Sequence, residues 1–294
     1  MRLAAIDIGS NAARLLITDV VNNITGEPQF NKINLIRVPL RLGFDVFETG
    51  VISKPKSNMI LETMKAYSHL LKAYGVQHIR ACATSAMRDA KNSADIIKKV
   101  RLETGIEIEI ISGDKEATII NQNHIAEDLD SNYAYLYIDV GGGSTELTFF
   151  TDNRMKYRES FNIGTIRLLK GLVHDTIWDE MRLHLKQNTK TNLPIKAIGS
   201  GGNINKIFSL SKKKDGKPLS IQLLKDFHKE LSSYTVEELT RIYKLREDRA
   251  DVIVPALLIY MNVMKWADIE EIHVPKIGLA DGLIKSLYAE ISEG

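Results

Sequence analysis

The sequence predicts an α/β protein of two lobes, each with a sheet flanked by helices. At 294 residues the chain is about twice a typical domain of roughly 150 residues, so two domains are favoured and one large domain is the alternative. Strand, helix and strand alternate in the first half, which indicates a parallel sheet. The opening strand and its turn recur 132 residues later, which indicates an internal duplication.

Composition and charge exclude several classes of protein. With 44% hydrophobic and 26% charged residues, the chain is neither disordered, collagen-like nor a coiled coil. A net charge of +2 argues against a dedicated nucleic-acid or anionic-membrane binder, although a local basic cleft is compatible with it. We predict neither nucleic acid nor membrane as a partner, because no stretch of 18 uncharged apolar residues occurs. The apolar stretch at the N-terminus is too short for a secretion signal. The single cysteine, Cys82, excludes an intrachain disulfide. We therefore expect a cytoplasmic location.

The first lobe is expected to begin with a β-hairpin. Residues 3–8 are an apolar strand ending in a Gly-Ser-Asn turn, and residues 15–20 form the returning strand. Residues 55–74 have apolar side chains at helical spacing and are followed by Gly75, which predicts a helix and its C-cap. The next predicted elements are a strand, a helix and a strand, at residues 76–83, 93–103 and 106–111.

The boundary between the lobes is expected in a polar, acidic stretch at residues 125–133, which gives predicted domains of 1–126 and 127–294. A strand at 135–140 repeats the apolar strand and glycine turn at the start of the chain. A third Gly-rich turn, AIGSGGN, leads into a helix at 204–210. The remainder is predicted to be mainly helical. It includes a T-x-x-E capping box at Thr235, a long apolar segment at 251–266, a strand at 271–274 and a closing helix from Asp281.

The three Gly-rich turns indicate a phosphate site. Glycine has no Cβ, so backbone N–H groups in such turns can converge on an anion. A single turn of this kind is weak evidence, because a tight turn often needs glycine for its backbone conformation alone. Asp7 and Asp139 each end an apolar strand directly before a turn, where a buried carboxylate without a cation would be costly. We therefore predict a divalent metal, Mg²⁺ or Mn²⁺, held with Asp7 and Asp139 beside the phosphate.

The two hairpin sequences, AIDIGSNAARLLI and YIDVGGGSTELTFF, resemble the duplicated phosphate loops of the actin, sugar kinase and chaperone ATPase superfamily. More narrowly, ATSAMRDAKN, ISGDKEA, DVGGGSTE and RADVIVP resemble the exopolyphosphatase/guanosine pentaphosphate phosphohydrolase (Ppx/GppA) family. The resemblance implies two actin-like (ribonuclease H-like) lobes with mixed sheets and an active site in the interdomain cleft.

The resemblance also implies roles for individual residues. Glu116 would be the base that orients the attacking water, while Asp139 and Glu146 would hold the metal or the water. Arg88 would contact phosphate, and Arg249 would line the cleft. The other implied substrate-binding residues belong to the three turns: Gly9, Ser10, Asn11, Arg14, Gly141, Gly142, Gly143, Ser144, Thr145 and Gly201.

Each of these residues also has a purely structural interpretation. Glu116 could serve only the helix dipole, Arg88 could pair with Asp89, and Glu146 could lie on a solvated face. The histidines show no metal-ligand spacing, and neither Ser85 nor Ser200 has a recognisable histidine partner. A histidine-held zinc site and a serine nucleophile are therefore not expected.

Two departures from the family pattern affect the expected substrate. Ala12 stands where the family usually has a serine, which removes one hydroxyl from the first loop. Longer members add a C-terminal helical domain, whereas this sequence ends after the second lobe, so we expect short to medium polyphosphate chains and little processivity. The dense basic run at residues 212–217 is interpreted as a solvated loop, with polyanion contact as the alternative.

The predicted function is hydrolysis of a phosphoanhydride, with release of orthophosphate from inorganic polyphosphate or guanosine pentaphosphate. Two alternatives stay open: a kinase or ATPase of the same superfamily, and a non-catalytic sensor of polyphosphate or an alarmone. The sequence leaves the oligomeric state open and allows a homodimer.

Overall fold

The computed structural model describes residues 1–122, 130–152 and 154–293. The chain divides into two compact units, the first comprising residues 1–123 and 278–294 and the second residues 124–277. The predicted boundary at 126/127 lies outside the described residues. Residues 278–294 group with the first unit, whereas the sequence-based assignment placed them in the second.

The first unit contains a five-stranded sheet of order β3-β2-β1-β4-β5. Strands β1, β2 and β3 form an antiparallel meander, and β4 and β5 continue the sheet in parallel to β1. The strands are β1 (Arg2–Ile8), β2 (Ala13–Asn22), β3 (Pro28–Val38), β4 (His78–Ala83) and β5 (Ile108–Ile110). The predicted hairpin and the parallel strand–helix–strand unit are confirmed.

Helices of the first unit connect and cover these strands. They are α1 (Gly43–Thr49), α2 (Lys54–Ala73), α3 (Ser85–Asp89), α4 (Ser93–Thr104) and α5 (Gly113–Gln122). On α2 the apolar side chains Ile60, Met64 and Tyr67, at helical spacing, are buried in the core of this unit. Burial of this face gives α2 its position on the sheet.

The second unit repeats the meander and extends it. Its six-stranded sheet has the order β10-β11-β9-β6-β7-β8, with β6, β7 and β8 antiparallel and β9 parallel to β6. The strands are β6 (Ala134–Val140), β7 (Thr145–Thr151), β8 (Arg154–Phe161), β9 (Ile195–Ser200), β10 (Leu219–Ser220) and β11 (Glu271–His273).

Seven helices belong to the second unit as far as it is described, and α12 lies at the centre of its core. Ile253, Leu257, Tyr260 and Val263 of α12 are all 1% exposed or less, as expected for a helix that is apolar around most of its circumference. The predicted capping box at Thr235 is confirmed, with the Thr235 hydroxyl accepting from the Glu238 N–H. The helices are α6 (Thr165–Leu169), α7 (Asp175–Asn188), α8 (Gly202–Ser211), α9 (Ile221–Leu231), α10 (Val236–Ile242), α11 (Glu247–Ala250) and α12 (Ile253–Trp266).

The last helix, α13 (Leu279–Glu293), packs on β1 and α5 of the first unit. Its Leu283 and Ile284 are buried in one apolar cluster with Leu3 and Ala5 of β1. Salt bridges join Asp281 to Lys32 and Glu290 to Arg80. These contacts explain why the C-terminal segment groups with the first unit.

None of the helices in the described ranges is both long and apolar enough to cross a membrane.

Candidate active site

The two predicted phosphate loops have the same backbone turn. In the first loop, the Gly9 N–H donates to the Ala12 carbonyl at 3.0 Å, and in the second, the Gly141 N–H donates to the Ser144 carbonyl at 2.9 Å. Each turn closes a hairpin, β1–β2 in the first unit and β6–β7 in the second. The duplication predicted from the sequence is therefore present in the backbone hydrogen bonds.

Residues at the start of α6 donate hydrogen bonds to the carbonyls of the second loop. The Thr165 and Ile166 N–H groups donate to the Gly141 and Gly142 carbonyls at 3.0 and 2.9 Å, and Arg167 Nε donates to the Gly143 carbonyl at 2.8 Å. The C=O and N–H of a trans peptide unit point in opposite directions. The N–H groups that follow these carbonyls therefore point away from α6, on the side where an anion could accept from them.

Gly164 allows α6 to come this close. A Cβ at this position would lie 2.4 Å from the Gly143 carbonyl carbon and 2.5 Å from the Gly142 carbonyl oxygen. No side chain can occupy that space unless the loop moves.

The first loop is held in a similar way by the segment that follows β3. The Gly43 N–H donates to the Ser10 carbonyl and the Arg41 N–H donates to the Asn11 carbonyl, both at 2.9 Å. In each unit, then, the chain after the third strand of the meander fixes the orientation of the loop.

A row of four polar residues crosses the sheet of the second unit beside its loop. Ser160 on β8 pairs with Glu146 on β7, Glu146 pairs with Asp139 on β6, and Asp139 pairs with Ser200 on β9. Directly paired residues lie on the same face of a sheet. The Ser160 hydroxyl donates to Glu146 Oε1 at 2.8 Å, and the Ser200 hydroxyl donates to Asp139 Oδ1 at 2.8 Å.

The two carboxylates at the centre of this row fit a hard divalent cation. Carboxylate oxygens of Asp139 and Glu146 lie within 4.8 Å of each other, and Glu146 is only 3% exposed. Two like charges in such surroundings destabilise each other unless a cation neutralises them. Oxygen donors of this kind are the ligands that Mg²⁺ and Mn²⁺ prefer. The alternative that Glu146 is a solvated surface residue is wrong, because its side chain is buried.

The corresponding row in the first unit has a different charge. Asp7 pairs with Arg14 on β2, and Arg14 pairs with Arg37 on β3. Arg14 Nη1 donates to Asp7 Oδ2 at 2.7 Å, so an arginine supplies the cation for which the sequence-based prediction invoked a metal. Arg14 therefore balances the charge of the buried Asp7, and the assignment of Asp7 as a metal ligand stays a prediction.

Glu116 lies in the first turn of α5, directly after β5. Its N–H donates to the Ser112 carbonyl at 2.9 Å, the Ser112 hydroxyl accepts from the Lys115 N–H, and the Glu116 side chain is 9% exposed. Arg88 lies near the same turn, because its Nη1 donates to the Ile111 carbonyl at 2.8 Å. Two predicted site residues of the first unit are thus brought to one end of its sheet.

Three hydroxyls predicted to contact phosphate have partners within the protein. Ser10 Oγ accepts from the Ala86 N–H and lies 2.7 Å from Ser85 Oγ. Ser144 Oγ donates to Glu146 Oε1 at 2.6 Å, and fully buried Thr145 donates to the Ile163 carbonyl at 2.6 Å. The Thr145 hydroxyl therefore has a structural partner and Ser144 contacts one carboxylate of the acidic pair, while contact of these residues with phosphate stays a prediction.

The third turn lies against the same acidic pair. Gly201 has φ +113, and a Cβ there would come within 3.3 Å of Asp139 Oδ1. The Tyr260 hydroxyl, completely buried, donates to the Ser200 carbonyl. Burial holds the pKa of Tyr260 well above its ordinary value, and the Asp139 charge adds to this shift, so Tyr260 stays a hydrogen-bond donor. Arg249 is half-buried on the short helix α11.

A second group of possible metal ligands, Glu159, Glu180 and His184, is partly exposed and was not predicted. Tyr157 donates to Glu159 Oε2 at 2.6 Å, and His184 Nδ1 lies 2.6 Å from the same oxygen. Burial and the adjacent Glu159 raise the pKa of Tyr157, which keeps its hydroxyl protonated. Hydrogen bonds within the protein therefore engage Glu159 and His184 of this group.

A profile of the Ppx/GppA phosphatase family matches residues 20–290. The chain belongs to this family. Exopolyphosphatase 1 of Mycobacterium tuberculosis is 25% identical over 304 aligned residues, which cover 97% of this chain and 87% of that protein. The guanosine-5′-triphosphate,3′-diphosphate pyrophosphatase of Aliivibrio fischeri is 24% identical over 98% of this chain and 59% of its own length.

The bifunctional 3-dehydroquinate synthase/phosphatase of Fusobacterium nucleatum is 36% identical over 65% of this chain. The aligned part is only 30% of that longer protein. This chain therefore spans less than two thirds of the length of some relatives and most of the length of others. None of these names favours the kinase or sensor alternative.

Solved structures of Ppx/GppA proteins have the same fold. An exopolyphosphatase from Cytophaga hutchinsonii matches with a TM-score of 0.82 and 26% identity, over 99% of this chain and 98% of its own. The family member from Aquifex aeolicus matches with a TM-score of 0.77 and 23% identity, over 100% and 99% of the two chains. The predicted actin-like class with two mixed sheets is thereby confirmed.

Four residues of this Ppx/GppA site were missed in the sequence analysis or assigned no role there: Ser160, Gly164, Arg167 and Ser200. A signal for Gly164 was present, because a lone glycine lies three residues after the end of the strand at Phe161. The two serines have no comparable local signal, since their role depends on which strands are neighbours. Ser200 had been considered only as a nucleophile.

Proposed function

We propose that this protein hydrolyses a terminal phosphoanhydride bond and releases orthophosphate from inorganic polyphosphate or guanosine pentaphosphate. Membership of the Ppx/GppA phosphatase family and the names of the relatives support both substrate classes. The expected preference for short to medium polyphosphate chains and the cytoplasmic location stay predictions, and the oligomeric state stays open.

The observation that carries this proposal is the Asp139–Glu146 pair, in which Glu146 is buried and Asp139 half-buried, next to a glycine loop whose carbonyls accept hydrogen bonds from α6. A phosphoryl group in transfer carries charge on its equatorial oxygens, so catalysis depends on donors and cations placed around it. The N–H groups of the loop would donate to these oxygens. Arg88 would add a guanidinium, whose planar donors suit phosphate.

Asp139 and Glu146 would hold Mg²⁺ or Mn²⁺. When bound, this ion supplies positive charge to the phosphoryl oxygens. The Ser144 hydroxyl, which donates to Glu146, would help to keep that carboxylate oriented toward the ion.

Glu116 would act as the general base. Its carboxylate would accept a proton from water as the water oxygen forms a bond to the terminal phosphorus. The bond from phosphorus to the bridging oxygen would break, and that oxygen would leave with the shortened substrate. This role requires one substrate molecule to contact residues of both units, as the predicted cleft implies.

Phosphate release from a panel of substrates tests the proposal. Orthophosphate should appear from polyphosphates of defined length, from guanosine pentaphosphate, or from both, in the presence of Mg²⁺ or Mn²⁺. An ATP reaction with a panel of sugar acceptors serves as the comparison. Phosphate transfer to an acceptor without release of orthophosphate from the other substrates would support the kinase alternative.

A further inference from the structure

We propose that Ser160 and Ser200, the two ends of the polar row, are positioning residues that orient Glu146 and Asp139 toward a divalent cation. The inference rests on the metal site in the proposed function and assigns the residues that tune it. Neither serine was expected to serve the metal.

Ser160 acts on Glu146 from the neighbouring strand. These two residues are direct partners between β8 and β7, and the serine hydroxyl donates to Glu146 Oε1 at 2.8 Å. Ser144 donates to the same oxygen at 2.6 Å from the loop side. Two donors on one carboxylate oxygen fix both the rotation of the carboxylate and the direction of its other oxygen.

Ser200 has the same relation to Asp139 on the other side of the row. Its hydroxyl donates to Asp139 Oδ1 at 2.8 Å, and it is only 5% exposed. The position of Ser200 is itself fixed, because its carbonyl accepts from the completely buried Tyr260 hydroxyl of α12. The core of the second unit thus determines the orientation of Asp139.

The chemistry of the donors distinguishes this row from the one in the first unit. Arg14 orients Asp7 and also cancels its charge. A serine hydroxyl orients a carboxylate by a hydrogen bond and, unlike an arginine, adds no charge of its own. Outer residues of this kind typically affect metal affinity by about 10- to 100-fold.

Calorimetric titration of the 294-residue chain with Mn²⁺, in the absence of substrate, tests the inference. Ser160→Ala and Ser200→Ala should each raise the Mn²⁺ dissociation constant by about 10- to 100-fold. Ser160→Thr retains a hydroxyl at a half-buried strand position and should restore affinity to near that of the unsubstituted protein. The matched control is Ser232→Ala, because Ser232 is exposed and its hydroxyl donates to a backbone carbonyl, that of His228.

The inference would be overturned if Ser160→Ala and Ser200→Ala both bound Mn²⁺ as tightly as the Ser232→Ala control. So would a Ser160→Thr variant as weak as Ser160→Ala, because the hydroxyl would then not be the active group. Should Ser200→Ala fail to fold in a circular dichroism melt, the Ser160 variants decide alone. Absence of Mn²⁺ binding by the unsubstituted protein would also overturn it. The titration contains no substrate, so the measured Mn²⁺ affinity does not depend on whether the protein hydrolyses phosphoanhydrides.

Discussion

Asp139 and Glu146 are direct partners across antiparallel strands, and their carboxylate oxygens lie within 4.8 Å of each other. In the first hairpin the equivalent partners are Asp7 and Arg14, which form a 2.7 Å salt bridge. Both hairpins keep the same turn, closed by a glycine N–H. The duplicated hairpins therefore share the same turn geometry and differ in charge: an arginine faces the aspartate in the first, and a second carboxylate faces it in the second.

This difference predicts which aspartate controls the metal requirement. Asp139→Asn should raise the Mg²⁺ concentration needed for half-maximal phosphate release by at least about tenfold, because a ligand charge is lost. Asp7→Asn is the matched control. It should weaken the salt bridge to Arg14 and lower stability while leaving the half-maximal Mg²⁺ concentration unchanged.

The measurement is a Mg²⁺ titration of activity for each variant, with folding checked by circular dichroism. Full activity of the unsubstituted protein in excess chelator would contradict the metal requirement. An equal rise in the Mg²⁺ requirement for both variants would contradict the asymmetry.

Gly164→Ala should distort the second loop. The added Cβ would lie 2.4 Å from the Gly143 carbonyl carbon, and overpacking of this kind costs about 1–3 kcal/mol in the free energy of unfolding. Urea unfolding measures the stability, and phosphate release reports on the loop. Gly278→Ala is the control, because a Cβ at Gly278 has no other atom within 4 Å. Equal stability and activity of the two variants would show that the loop does not depend on the close approach of α6.

Local patterns predicted much of this fold. The hairpin at β1 and β2, the helix α2 and the Thr235 capping box follow from apolar spacing, turn residues and capping chemistry within a few residues. Strand β3 was missed because it lacks a regular alternation of apolar and polar residues: between Pro28 and Leu35 only Phe30 and Asn34 are partly buried, while the apolar Ile33 and Leu35 are exposed. The packing partner of α13 was misassigned because an amphipathic helix does not encode which sheet it covers.

Cys82 should be unreactive in the native protein. Its side chain is fully buried, and burial, with a smaller contribution from the Glu109 charge, raises the pKa of the thiol from 9.0 to about 12. A disulfide reagent at pH 8 should therefore label the thiol in denaturant and leave the native protein unlabelled. Rapid labelling without denaturant would contradict this burial.

The same thiol has a predictable effect on stability at high pH. Its folded pKa is raised, so the unfolded chain releases the proton first, and the contribution of the thiol to stability is present below pH 9 and is lost between pH 9 and about pH 12. Cys82→Ala should have a flatter dependence of unfolding free energy on pH in this window. An unchanged slope would show that the thiol is not the titrating group.

Leu283→Ala should destabilise the first unit. Leu283 of α13 is 0% exposed, and removal of a buried leucine side chain costs about 2–5 kcal/mol. Leu102→Ala is the control in the same unit, because Leu102 is 76% exposed. Calorimetry should show a lower transition temperature for Leu283→Ala alone, and equal transitions for the two variants would contradict the packing of α13 on β1.

The residues of the candidate site that could be predicted are those that lie close together in the sequence and form a recognisable motif. Asp139 and Gly141 were identified because a strand, an aspartate and a glycine turn follow one another directly. Ser160 and Ser200 are distant from both in the chain and join the site only through strand pairing. Arg14 could be identified in the sequence, but its salt bridge to Asp7 depends on the register of the hairpin.

The most direct test of the proposed hydrolase is phosphate release by Glu116→Gln compared with Asp114→Asn. Both carboxylates lie in the first turn of α5, so both substitutions remove a similar favourable interaction with the helix dipole. A general base contributes typically about 10²–10⁴ in rate. We therefore expect Glu116→Gln to lower kcat by about 10²–10⁴ with little change in substrate affinity, and Asp114→Asn to retain nearly full kcat. Similar, small effects of the two substitutions would reduce Glu116 to a dipole partner and contradict its role as the base.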